Sequence, residues 1–275
     1  MKKVICVLSG GSAKGAAHVG AIKALQEWDL QPSHYVGTSI GAVVGACFAS
    51  GLAYGEVLRR MSTLTRRDVT VLSPQAVLGV FATALFQRRP WRETIEMLVP
   101  ACTFDELETP LTVTAVDGES GDLVLFGAGG RSDVGLPEAL YASCALPLYY
   151  PPARIDGRVY LDGGLRAVFP LDVAAQFDPD VLFGVNVGPR FYSAPPVDER
   201  PAPGLLGAHR RAMRIMMGAQ TEEVIGRWRR ERPADLVLVQ PSIRGRATFS
   251  LNKVVEYVEK GYRAAHRALS DWQTE

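Results

Sequence analysis

Three clusters of small residues in this 275-residue chain place side chains or backbone groups where covalent chemistry could occur. The first is Gly37-Thr38-Ser39-Ile40-Gly41, a GxSxG pentapeptide. A serine hydroxyl is a weak nucleophile until a base activates it. A serine on the turn between a strand and a helix is presented for that purpose. The turn is strained, and flanking glycines such as Gly37 and Gly41 let it bend without a Cβ clash. The helix N-terminus beyond it favours a developing negative charge. GxSxG recurs by chance in glycine-rich chains, so its context decides. Here Tyr35-Val36-Gly37 reads as a short strand, and Ile40 to Ser50, rich in Ala, Val and Gly, reads as a closely packed helix.

The second cluster is Gly10-Gly11-Ser12-Ala13-Lys14-Gly15, after the apolar run Val4 to Leu8. Successive small residues let backbone N–H groups converge on an anion, which in acyl transfer is the tetrahedral oxyanion. A dinucleotide GxGxxG is excluded because Ser12 holds the second glycine position, and a Walker A loop because no GK[ST] follows at the required spacing. The third is Asp162-Gly163-Gly164, directly after Val159 to Leu161, read as a strand. A carboxylate at the C-terminal end of a strand would share a rim with Ser39, where open α/β sheets carry their sites. Taken alone, Asp-Gly is an ordinary turn.

These clusters need elements to hold them. Val4 to Leu8 reads as a buried strand, Ala13 to Trp28 as a helix, and Tyr54 to Pro100 as largely helical. Leu111 to Ala115 and Leu123 to Phe126 read as strands, Leu136 to Ala142 as a short helix, and Val181 to Val187 and Leu236 to Val239 as strands. Leu251 to Leu269 reads as an amphipathic closing helix. The alternation predicts an α/β fold with an open, mainly parallel sheet flanked by helices, in a single domain over residues 1–275. Gly188 to Gly204, rich in Pro and polar residues, is expected to be a mobile loop.

Composition sets further bounds. The charged fraction is 21%, the hydrophobic fraction 47% and the net charge +1, which supplies no global attraction to nucleic acid or anionic lipid. Cys6, Cys47, Cys102 and Cys144 form no CxxC pair and are read as buried thiols in a reducing compartment. No metal-ligand spacing is present, and neither metal nor cofactor is expected. Val4 to Leu8 is shorter than the about 7–15 apolar residues of a signal peptide, and no run approaches the roughly 20 of a spanning helix. The chain is therefore expected to be cytoplasmic, with any membrane contact peripheral and on the inner face. Oligomeric state is not legible.

Together the clusters resemble the patatin-like phospholipase family in its short bacterial form. LSGGSAKGAAHVGAI, GTSIGA and LDGGL stand in the family's order, and the segments ASCALP…YPP and FSLNKVVEYVEKGYRAA are similar to its segment before the aspartate and its last helix. The resemblance spans nearly the whole chain. It implies a fold related to, but distinct from, the α/β-hydrolase fold. It also implies a Ser39–Asp162 dyad, with Asp162 as general base and then acid, and no cofactor. Gly10 and Gly11, with Ser12, would supply oxyanion N–H groups; Lys14 would support that loop, and Gly163 and Gly164 the aspartate turn. The substrate implied is a lipid or related acyl ester. Two departures stand out: Ser12 where many members carry a third glycine, and Arg166-Ala167-Val168-Phe169-Pro170 where members often carry an Asn before the Pro.

The four histidines fit a dyad better than a triad. His209 and His266 lie in predicted helices as surface residues, His18 on a helix face near the loop, and His34 at a turn. Gln75 to Phe86, followed by Arg88-Arg89-Pro90-Trp91-Arg92, is read as a pocket-wall helix in preference to a lid. The arginines of Leu205 to Arg232 are read as a solvated face in preference to a lipid-headgroup site, with Met213, Met216, Met217 and Ile225 in the core. An acyltransferase or thioesterase could use the same Ser39 and Asp162, and a regulatory module could retain the fold without catalysis.

Overall fold

In the computed structural model of the protein, residues 2–76, 83–189, 204–231, 234–243 and 251–274 are described. Their strands are β1 (Val4–Leu8), β2 (Pro32–Thr38), β3 (Leu111–Asp117), β4 (Leu123–Gly127), β5 (Ala153–Ile155), β6 (Arg158–Asp162), β7 (Val181–Val185) and β8 (Asp235–Val239). The helices are α1 (Ala16–Glu27), α2 (Ile40–Ala49), α3 (Tyr54–Ser62), α4 (Arg66–Val69), α5 (Arg88–Leu98), α6 (Leu136–Ser143), α7 (Leu171–Ala175), α8 (Gly204–Glu231) and α9 (Val254–Thr274).

The sheet order is β5-β6-β3-β2-β1-β7-β8, with β4 also on β3. The strands β3, β2, β1, β7 and β8 are mutually parallel. All five residues of β1 are buried, as a central strand covered on both faces requires. Its alternate residues serve two cores. Val4, Cys6 and Leu8 join the larger one with α1, α2, α5, α6 and α9, while Ile5 and Val7 join a smaller one with α7 and α8. This is the expected α/β sheet with helices on both faces.

The edge of β3 departs from the parallel scheme. β4 runs antiparallel along Thr112 to Val116 and occupies one edge. β2 pairs with Leu111 to Thr114, and β6 pairs antiparallel with Ala115 to Asp117. Both overlap the stretch held by β4, so both must use the opposite edge. β2 and β6 therefore meet end to end along one side of β3.

Several boundaries move from expectation. The second strand starts at Pro32, so His34 is a buried strand residue rather than a turn residue, bonded through Nε2 to Thr112 Oγ1 at 2.8 Å. The first helix is preceded by a 3-10 turn over Ser12–Gly15. Among the described residues between Tyr54 and Pro100 there are three α-helices, broken by an extended stretch where Leu72 bridges Phe86. Residues 77–82 of the expected pocket-wall helix, residues 190–203 of the expected loop, and Arg232 lie outside the described residues. Cys102 is exposed, unlike Cys6, Cys47 and Cys144, because it sits in the turn after α5. Met216 is exposed and Met213 and Met217 half-buried, leaving Ile225 as the core residue of that set.

α9 closes the larger core by crossing α1 at two glycines. A Cβ built on Gly20 would lie 1.9 Å from the Val258 carbonyl oxygen, and one on Gly261 would lie 1.9 Å from that of Ala17. Gly55, on α3, has no atom within 4 Å of the same position. Gly261→Ala is expected to destabilise the protein by about 1–3 kcal/mol through overpacking. Gly55→Ala is expected to be neutral or stabilising by about 0.5–1 kcal/mol through reduced chain entropy. Urea midpoints of the two variants beside the wild type check both.

Candidate active site

Ser39 sits between β2 and α2 with φ 55° and ψ −128°, a left-handed conformation rare for a residue with a side chain. The strain falls on the serine itself. The flanking glycines meet a different need, because the helix start is pressed onto the sheet. A Cβ on Gly41 would lie 2.3 Å from the Leu8 carbonyl oxygen, and one on Gly37 would lie 2.5 Å from Ala42 Cα. Two hydrogen bonds hold the turn. The Ser39 N–H donates to Ser143 Oγ at 2.7 Å, and Thr38 Oγ1 donates to the Ala167 carbonyl at 2.7 Å.

Ser39 Oγ donates to Asp162 Oδ2 at 3.0 Å. The pairing follows from the shared edge of β3: Thr38 is opposite Thr114, and Asp162 is opposite the next residue, Ala115. Asp162, at the C-terminal end of its strand, does meet Ser39, although that strand runs against its neighbour. β6 is antiparallel, and its C-terminal end would ordinarily lie at the far rim. It reaches Ser39 because β6 pairs only with the part of β3 that extends beyond β2. The Gly164 N–H donates to Asp162 Oδ1 at 2.7 Å, and Gly163 packs against the Thr114 carbonyl, where a Cβ would come within 2.4 Å.

Asp162 is 4% exposed. Burial pushes its carboxyl up to about 7, against the opposing pull of the Gly164 N–H and the Ser39 hydroxyl. At neutral pH it is thus poised between carboxylate and acid.

The Ser9–Gly15 loop lies beside this pair. A Cβ on Gly10 would be 3.6 Å from Ser39 Cβ. The Gly10 N–H, expected to face an oxyanion, instead donates to the Val168 carbonyl at 2.9 Å. The Gly11 and Ser12 N–H groups meet no acceptor among the described residues. Ser12 has φ 53°, a left-handed conformation that glycine adopts without strain. Lys14 is half-buried in the 3-10 turn, and its N–H donates to the Gly11 carbonyl at 3.3 Å. The segment lacking an Asn thus supports the site through its backbone: Ala167 holds Thr38, and Val168 holds Gly10.

His18 has a part that its sequence position did not disclose. It is fully buried, and its Nε2 lies 2.9 Å from the Ser9 carbonyl. A carbonyl only accepts, so Nε2 carries the proton. Burial takes the imidazole down to about 4, so it stays neutral at physiological pH. Ser9 Oγ in turn accepts from the Val187 N–H at 2.8 Å. The other histidines lie elsewhere: His34 on β2, His209 beside Tyr149, and His266 against Trp28 and Glu27. None bonds to Ser39 or Asp162.

Ser39 and Asp162 open into a cavity of about 760 Å³ of atom-free space, its mouth included. Its walls are mainly apolar: Met61, Leu64, Val69 and Trp91 from the α3–α5 region, Cys144, Leu146, Tyr149 and Tyr150 after α6, and Leu251 and Val254 at the start of α9. Among the described residues, no three His, Cys, Asp or Glu side chains converge to hold a metal ion.

A family profile described as patatin-like phospholipase matches residues 6–175. An uncharacterised NTE-family protein of Mycobacterium tuberculosis is 30% identical over 186 residues, covering 67% of this chain and 49% of that one. Patatin-like phospholipase domain-containing protein 6 of Mus musculus is 27% identical over 188 residues, covering 67% of this chain and 13% of that one. The chain thus spans about half the length of the mycobacterial relatives it matches. The crystal structure of VipD from Legionella pneumophila aligns at a TM-score of 0.46 and 13% identity, over 98% of this chain and 67% of that one, a likeness too slight to add to the assignment. With the matched span running from β1 through the glycine loop, the Ser39 turn and the Asp162 turn to α7, the chain belongs to the patatin-like phospholipase family.

Proposed function

We propose that this protein is a serine acyl hydrolase acting on the carboxylic ester bonds of phospholipids, lysophospholipids or related acyl esters. The observation that carries the reading is the 3.0 Å hydrogen bond from Ser39 Oγ to buried Asp162, on a strained turn at the base of an apolar cavity.

In this reading the Asp162 carboxylate takes the Ser39 proton as Oγ attacks the acyl carbonyl. A carboxyl raised to about 7 is a better base than an exposed aspartate and still ionises near neutrality. The tetrahedral oxyanion is held by the Gly11 and Ser12 N–H groups, with the N-terminus of α2 adding favourable potential. Protonated Asp162 then gives its proton to the departing alcohol oxygen. Water, deprotonated by Asp162, cleaves the acyl-enzyme and restores Ser39. The acyl chain lies along Met61, Leu64, Val69 and Trp91. The α3–α5 region therefore acts as a pocket wall.

A fluorophosphonate probe is expected to label the wild type and not Ser39→Ala. Labelling of a folded Ser39→Ala would place the nucleophile elsewhere. Asp162→Asn is expected to lower ester hydrolysis by about 10²–10⁴-fold.

The raised carboxyl also sets two pH dependences. The base must be ionised, so kcat/KM is expected to rise with pH through an apparent pKa near 7. Stability runs the other way. Between its ordinary value of 3.8 and about 7, the folded state keeps a proton that the unfolded state has released, so stability falls as pH rises. By pH 8 the loss reaches about 4 kcal/mol, because each factor of ten in proton affinity is worth about 1.4 kcal/mol. Asp162→Asn is expected to abolish that loss, with a melting temperature near wild type at pH 4 and above it at pH 8. A variant that melts below wild type at pH 8 would contradict the assignment of Asp162 as a destabilised base.

A further inference from the structure

We infer that Cys144 is a specificity-determining residue: its side chain fills the space beside Ser39 where a branch on the acyl carbon next to the carbonyl would lie, so that linear acyl chains are admitted and branched ones rejected. Cys144 closes α6 and lines the cavity together with Ser39, Asp162 and Trp91. Its two neighbours in the chain hold the reacting pair. Ser143 Oγ accepts from the Ser39 N–H at 2.7 Å, and the Ala145 carbonyl accepts from the Asp162 N–H at 3.1 Å. The residue between them is thereby placed against both. Its own backbone is fixed on each side. The Cys144 N–H donates to the Tyr141 carbonyl at 3.0 Å, and the Cys144 carbonyl accepts from the Leu146 N–H at 2.8 Å.

Trp91 continues the same wall. It is 5% exposed and stacks on Tyr150, whose hydroxyl donates to the Val69 carbonyl at 2.9 Å. Its helix is tied to α6 through Glu138, whose carboxylate accepts from Arg88 and, at 3.1 Å, from Arg92 Nε. Trp91 and Cys144 therefore keep a fixed separation. Trp91 Nε1 is buried with no acceptor among the described residues. The Cys144 sulfur lies within reach of that N–H on one side and of the Ser39 hydroxyl on the other. The wall is thus continuous from the nucleophile to Trp91. A carbonyl carbon under attack sits about 3–3.5 Å from its nucleophile. The chain it carries must pass the sulfur within its first carbons on the way to Trp91, Met61, Leu64 and Val69. Burial pushes the thiol up, so it stays protonated and does not compete with Ser39 as a nucleophile; what it contributes is bulk. A methylene lies flat against that bulk. A methyl branch on the first carbon meets a close-packed wall that its backbone bonds keep from retreating. One added methyl group in such a pocket discriminates by about tenfold or more. The path of the acyl chain rests on the hydrolase reading above.

The test compares p-nitrophenyl octanoate with p-nitrophenyl 2-methyloctanoate on the full chain. The wild type is expected to prefer the linear ester by about tenfold or more in kcat/KM. Cys144→Ala, which removes the sulfur, is expected to cut that preference below about threefold, and Cys144→Val to lower octanoate hydrolysis by about tenfold. Thermal melts followed by circular dichroism establish that each variant is folded. Equal use of the two esters by the wild type would overturn the proposal without any variant, as would an unchanged preference in folded Cys144→Ala. A second readout needs no hydrolysis. The uncleavable ketone 2-decanone is expected to raise the melting temperature of the wild type, and its branched counterpart 3-methyl-2-decanone to raise only that of Cys144→Ala. That pattern, with neither ester hydrolysed by the wild type, would support the Cys144 wall and count against the hydrolase reading alone. Without hydrolysis, equal stabilisation of the wild type by both ketones would overturn the wall, and no stabilisation by either would overturn both readings.

Discussion

The structure depends on one edge of one strand. β3 offers two edges, and β4 takes one of them over Thr112 to Val116. The remaining edge accepts β2 from one direction and β6 from the other, and they stop at adjacent positions, Thr114 and Ala115. The hydroxyl of Ser39 and the carboxylate of Asp162 meet because two strand ends meet. No catalytic loop has to be ordered to bring them together. What remains is to turn the serine outward, which the left-handed conformation at Ser39 does, and to keep water from the aspartate, which its burial does.

Both devices carry a free-energy cost that the surroundings must offset. A left-handed residue with a side chain costs about 1–3 kcal/mol, and a buried ionised carboxylate costs more. The offset comes from ordinary packing and bonding nearby: α2 is buried on all sides, Ser143 and Thr38 hold the turn, the Ala167 carbonyl ties it to the segment after Asp162, and the Val168 carbonyl ties the glycine loop there. His18 does the same for the glycine loop, as a neutral donor to the Ser9 carbonyl. The site is a place of local strain held by hydrogen bonds from the segments around it.

Much of this was legible in the residues, and the parts that were not share a cause. Ser39 and Asp162 stand out because their neighbours Gly37, Gly41, Gly163 and Gly164 mark close backbone approaches, which local sequence records. The α/β class follows from the alternation of apolar runs, since β1 and α2 are each so apolar that only burial on every side suits them. Pairing between distant segments is what local sequence does not record. The antiparallel sense of β6, the capture of the Gly10 N–H by Val168 and the bond from Ser39 N–H to Ser143 all join segments far apart in the chain. The stretch Arg166 to Pro170 illustrates the limit. It lacks a supporting side chain, and the support comes from carbonyls that every residue possesses.

The meeting of β2 and β6 has a consequence for how such a chain can vary. Ser39 and Asp162 are separated by 123 positions, yet their spacing in space is set by a single step along β3, from Thr114 to Ala115. That step acts as a ruler that does not count the residues between. The α3–α5 region, which supplies Met61, Leu64, Val69 and Trp91 to the cavity, lies wholly inside the uncounted interval. It can lengthen, shorten or be exchanged without changing the reach from hydroxyl to carboxylate. In the proposed hydrolase, substrate fit and reaction geometry fall to different stretches of one polypeptide, and the first can drift while the second is held constant.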